Sequence, residues 1–117
     1  MKTLIEKIFK ISDSIRYVAI YQKDELISKQ RVDLKDTSSS ESDKYEELLV
    51  NPTILKITGQ RGKIDCGGLD YIILKYGNFF QILKEYKNGH ISICIDKNQN
   101  PLEFKEKINK ILDEVSI

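Results

Sequence analysis

The chain has 117 residues, carries 19 Lys and Arg against 18 Asp and Glu, and is 40% hydrophobic. That length suits one domain, residues 1–117, able to bury roughly two-thirds of its extended surface, and its composition is not that of a disordered chain. A net charge of +1 lacks the basic excess with which non-specific nucleic-acid binders neutralise phosphates. The N-terminal MKTLIEKIFKISDSIRYVAIY is interrupted by Glu6, Lys7, Lys10, Asp13 and Arg16, which excludes a signal peptide or membrane span and makes the cytoplasm the expected location.

Leu4, Ile5, Ile8, Phe9 and Ile11 recur at helical spacing, so residues 2–11 are predicted to form a short amphipathic helix. IRYVAIY from Ile15 and LISKQRV from Leu26 read as a β-hairpin turning near Lys23 and Asp24. The first strand is apolar on both faces and should be central; Lys29, Gln30 and Arg31 mark the second as an edge. The polar stretch from Asp33 to Ser42, with its serine run, reads as a solvated linker.

Residues 43–64 hold two short helical pieces. The first groups Tyr45, Leu48 and Leu49. The second is predicted to start at an Asn51 N-cap with Pro52 at its first position, to be weakened by Gly59 and to stop at Gly62. LDYIILKY, FFQILKEYK and HISICID then form a meander linked by Gly77-Asn78 and by Asn88-Gly89, the latter a type I′ turn signal. The final helix has Asn100 as cap, Pro101 at its start, and Phe104, Ile108, Ile111, Leu112 and Val115 as its buried stripe.

No residue pattern points to catalysis, to a cofactor or to a metal. His90 and Cys94 share a strand face but stand about 14 Å apart along it, too far for a common ligand. Cys66 and Cys94 lack CxxC spacing and read as small buried hydrophobes, not joined to each other. The pairs Glu46/Glu47 and Asp65/Asp70 lie in no setting that predicts burial or a raised pKa. GQRGKIDCGGLDY has glycines able to cradle an anion but neither GxxxxGK[ST] nor GxGxxG, so a tight turn into the next strand is the expectation. Phe79-Phe80, Tyr71, Tyr76 and Tyr86 alternate across a sheet without a positive groove, which speaks against RNA stacking. Apolar residues on both faces of the meander instead favour a protein partner, commonly a second copy.

The element order, and the segments IRYVAIYQKDELI, NPTILKITGQRGKIDCGGLDYIILKYGNFFQ and GHISICI, resemble the roadblock family of profilin-like fold, most closely a group of small archaeal roadblock-like proteins. The resemblance implies an α+β domain: a five-stranded antiparallel sheet, the terminal helices on one face and the middle helix on the other, which Gly59 and Gly62 are expected to make shorter here than in the family. It implies a non-enzymatic module that dimerises through the middle helix and adjoining strand, with Leu55, Thr58, Arg61, Tyr71 and Ile73 as candidate interface positions. The partners it implies are a second copy, a small GTPase or a scaffold protein. The alternative function is a small-molecule sensor with an apolar cavity between sheet and helix.

Overall fold

The computed structural model describes residues 2–32 and 40–115. Its elements are α1 (Lys2–Phe9), β1 (Ile15–Gln22), β2 (Glu25–Gln30), α2 (Ser40–Tyr45), a π-helical segment (Glu46–Val50), α3 (Asn51–Asp65), β3 (Ile72–Lys75), β4 (Phe79–Tyr86), β5 (Gly89–Asp96) and α4 (Leu102–Val115). The strands form one antiparallel sheet in the order β2-β1-β5-β4-β3, which places β1 inside and β2 at an edge as their sequences require. The helical run begins at Ser40, inside the stretch expected to be linker, and most of that serine-rich stretch lies outside the described residues.

Period-two alternation sorts the strands onto two unlike faces. Val18, Ile20, Ile82, Tyr86, Ile91, Ile93 and Ile95 pack against Leu4, Ile5 and Ile8 of α1 and Phe104, Ile108 and Leu112 of α4, making the main core. The opposite face carries a smaller cluster of Tyr17, Ala19 and Cys94, together with the buried polar residues Gln81, His90 and Ser92. A bulge between Ile15 and Tyr17 turns Arg16 toward this second face, where its guanidinium lies over Phe79 and pairs with Asp96 at 3.4 Å. Asn100 caps α4 as expected, its Oδ1 accepting from the Leu102 N–H at 3.1 Å.

The turns hold one shift of register. Lys23 and Asp24 take positive φ in the β1–β2 hairpin, but in the β4–β5 hairpin the positive-φ pair is Lys87 and Asn88, so Gly89 is the first residue of β5 rather than a turn residue. Glycine is needed there for closeness: any Cβ at position 89 would collide with the carbonyl oxygen of Tyr21.

The middle of the chain corrects the sequence reading. α2, the π segment and α3 form one continuous helix, because Tyr45, Val50 and Asn51 all keep right-handed helical dihedrals. Asn51 is therefore no N-cap, and the helix is neither short nor stopped at Gly62. The widened turn, in which the Asn51 N–H reaches the Glu46 carbonyl, precedes Pro52 and relieves the crowding a proline ring causes inside an α-helix. Gly59 and Gly62 lie within the helix and let it approach its neighbours. A Cβ at 59 would stand 3.1 Å from Glu85 Oε1, and one at 62 would stand 3.0 Å from the backbone of Gly68. Gly59→Ala, whose neighbour is the tip of a movable side chain, is expected to stabilise the protein by about 0.5–1 kcal/mol through helix propensity, whereas Gly62→Ala should destabilise it by about 1 kcal/mol. Urea unfolding of the two variants checks the opposite signs. Past the helix end, the Cys66 and Gly68 N–H groups both bond the Gly62 carbonyl and Gly67 and Gly68 take positive φ, the tight turn expected of this glycine run.

Candidate functional site: the middle helix and the polar layer beneath it

An amphipathic helix on a sheet normally buries its apolar stripe. The middle helix does the reverse. Its inner line, four residues apart, is Glu47, Asn51, Leu55 and Gly59, followed by Gly62, all buried. Its outer side exposes Tyr45 (62%), Leu48 (51%), Leu49 (51%), Ile57 (62%) and Ile64 (77%). Large apolar side chains spread along one helix without cover are the mark of an interaction surface.

Beneath the helix lies a connected polar layer. Glu47 Oε1 receives the Asn51 Nδ2 amide at 2.8 Å and lies 2.8 Å from His90 Nε2, with Glu47 and His90 both almost fully buried. On the sheet, Gln81 Nε2 donates to Ser92 Oγ at 2.7 Å. The Tyr17 hydroxyl is buried without a well-aligned hydrogen bond, as are Glu46 Oε1, Asn51 Oδ1 and Gln81 Oε1. Electrostatics follow from this crowding. Burial and then the neighbouring Glu47 and Asp43 raise the Glu46 carboxyl to about 7; burial followed by Glu47 and Asp43 lifts the Tyr17 hydroxyl far above its ordinary value; burial, then Glu46 and Glu47, raises the Cys94 thiol. The sequence setting of this pair signalled neither burial nor a raised pKa, yet Glu47 is buried and the Glu46 carboxyl is raised. Asp65 and Asp70 behave oppositely, both lowered, by Arg61 and by Lys84 respectively as the largest cause.

The five interface candidates do not share a surface. Leu55 is buried toward the sheet, and Thr58 is half-buried with its hydroxyl on the Ile54 carbonyl at 2.6 Å. Arg61 is exposed and bonds Asp65 at 2.6 Å. Tyr71 lies under the Lys105 ammonium, and Ile73 packs on the terminal-helix side, opposite Ile82. The sequence reading missed Glu47, Asn51, Gln81 and His90, although the four-residue spacing of Glu47, Asn51, Leu55 and Gly59 was the available signal. Cys66 is exposed, contrary to expectation, while Cys94 is buried; both are free.

Beside the second half of the helix runs a groove of about 430 Å³ that includes Tyr21, Leu55, Lys56, Lys63, Glu85 and His90 in its walls. Among the described residues no group of three or more His, Cys, Asp or Glu side chains could hold a metal ion, and no helix is long and apolar enough to cross a membrane.

A five-stranded antiparallel sheet in this order, with terminal helices on one face and a long helix on the other, is the roadblock, profilin-like architecture. Solved structures similar to the chain are of that kind. One is MglB with tetrameric arrangement, at TM-score 0.67 and 11% identity over 97% of this chain and 90% of the other. Another is the gliding protein MglB from Thermus thermophilus, at TM-score 0.66 and 10% identity over 97% and 88%. MglC from Myxococcus xanthus follows at TM-score 0.56 and 8% identity, covering 97% of each chain. At such identities the likeness establishes the fold. No protein-family model and no curated protein sequence matches the chain.

Proposed function

We propose that the chain is a non-enzymatic protein–protein interaction module that forms a homodimer through its middle helix, the pair serving as a scaffold or a regulator of a small GTPase. The observation that carries this reading is the outward apolar line of Tyr45, Leu48, Leu49, Ile57 and Ile64 on a helix whose inner line is polar or glycine apart from Leu55. The interface positions then move from Leu55 and Ile73, which are occupied in packing, to these exposed side chains, with Arg61 retained at the rim. A tetrameric arrangement of MglB, a protein of the same fold, supports assembly, and the GTPase and scaffold partners come from the roadblock resemblance. The narrower kinship with archaeal roadblock-like proteins rests on the sequence segments. The sensor alternative calls for an enclosed apolar cavity, whereas the groove beside the helix is open and lined by Lys56, Lys63 and Glu85.

Light scattering at high micromolar concentration should return twice the 13.6 kDa chain mass. Leu49→Glu with Ile57→Glu should weaken the dimer by about a hundredfold or more, since each substitution enters a twofold interface twice, while leaving the fold intact. A wild-type chain that stays monomeric would sink the proposal.

A further inference from the structure

We infer that the cleft between the start of the middle helix and the β3–β4 turn is a cation site, which takes the guanidinium or ammonium group of a basic side chain on a protein partner. The cleft, about 360 Å³, is lined by Ser42, Tyr45, Glu46, Val50, Tyr76 and Phe79. Three of these are aromatic. The Tyr76 and Phe79 rings stand 5.4 Å apart between centroids at 55°, two walls of an open box, and Tyr45 and Tyr76 are exposed at 62% and 40%. Aromatic faces attract cations through the ring quadrupole, most strongly where water is displaced. The fourth element is a carboxyl group: Glu46 lines the same cleft, half-buried, with the Gln81 amide hydrogen-bonding its side chain. Aromatic rings beside a half-buried carboxyl group are complementary to an organic cation.

The surroundings keep the site acidic. Glu47 and Asp43 act on Glu46 from its own helix and the Gln81 amide from β4, while Tyr76 in the β3–β4 turn and Cys94 on β5 both feel its charge. On β1, Tyr17 faces Glu47, and Arg16 lies with its guanidinium 5.6 Å from the centroid of Phe79, its charge paired with Asp96. That internal contact shows that the ring accepts a guanidinium. Tyr45 is shared with the apolar line Tyr45, Leu48 and Leu49, so the site is continuous with the helix face proposed as an interface. The choice of a protein side chain as occupant rests on that proposal.

The test is a titration of isotope-labelled full-length protein, followed by NMR, with a blocked Gly-Arg-Gly peptide, its citrulline counterpart and tetramethylammonium chloride. The arginine peptide should shift the backbone signals of Tyr45, Glu46, Tyr76 and Phe79 and bind at least about tenfold tighter than the citrulline peptide. Because the charged carboxylate is the binding form and Glu46 titrates at about 7, affinity should rise about tenfold between about pH 6 and about pH 8. Glu46→Gln should abolish that dependence and weaken binding by about tenfold, and Tyr76→Ala, an exposed position, should weaken it by about fivefold. Equal binding of the citrulline peptide, an unchanged Glu46→Gln variant, or shifts confined to other residues would overturn the cation site. Tetramethylammonium binding as tightly as the arginine peptide would overturn the side-chain occupant in favour of a small free cation. Light scattering on the same samples separates the two proposals: a monomeric chain that still binds the arginine peptide supports the site and removes only the dimer.

Discussion

Replacing His90 with alanine is expected to destabilise the protein by about 3 kcal/mol, because it leaves Glu47 in a site where solvent does not reach and removes one of its close polar contacts. For a domain of this size that is a fall of roughly 10 °C in Tm. Glu47→Ala should cost a similar amount by stranding His90 and the Asn51 amide. The double variant should cost clearly less than the sum of the two, with a coupling of about 1.5 kcal/mol or more, since neither member of the Glu47–His90 pair is then left without the other and only the Asn51 amide stays stranded. Urea unfolding of the cycle measures this coupling, and additive effects would mean that the Glu47–His90 bond contributes nothing of its own. The loss should also be local. Leu55 is the only buried aliphatic side chain on the inner line of α3, so the helix depends on this polar layer to stay seated. Hydrogen exchange should therefore accelerate in the middle helix before it does so in β1, β4 and β5.

The main core was legible because alternation and burial agree there. Ile91, Ile93 and Ile95 share one strand face and meet Phe104, Ile108 and Leu112, whose helical spacing is equally regular. Lys29 and Arg31 announced the edge position of β2 correctly, since an edge strand can hold charges without burying them. The middle helix was not legible by the same rule. Periodicity reports that Tyr45, Leu48 and Leu49 form a stripe, but not whether the chain's own sheet covers it, and here the stripe faces outward. Asn51-Pro52 carries the local signature of a helix start, which a π turn overrode by making room for the proline ring within a longer helix. The polar layer stayed hidden for a different reason: Glu47 and His90 are 43 positions apart, and only the packing of helix on sheet brings them to 2.8 Å.

Glutamine at position 46 is expected to make the protein more stable than the wild type at neutral and alkaline pH and to leave it nearly unchanged in mild acid. Burial first, then the charges of Glu47 and Asp43, raise the Glu46 carboxyl to about 7 from its ordinary 4.5, against a smaller opposite pull from Gln81. Between those two values the folded chain keeps a proton that the unfolded chain has released, so stability falls as the pH rises. The contribution is fully present below the unfolded value and is lost as the pH passes the folded one. Asp65 and Asp70 are lowered, so their contributions are present above 3.8 and disappear only as the pH falls below it, outside the Glu46 window. Because the Glu46 carboxyl is only partly buried, solvent screening reduces the full linkage value to about 2 kcal/mol. Urea unfolding should then show the two proteins within about 0.5 kcal/mol of each other near pH 4, and the Glu46→Gln variant ahead by about 2 kcal/mol near pH 8. Parallel profiles over that range would show that the carboxyl is not held out of water beside Glu47. The same measurement bears on the cleft, since a basic peptide added near pH 8 should stabilise the wild type more than the variant.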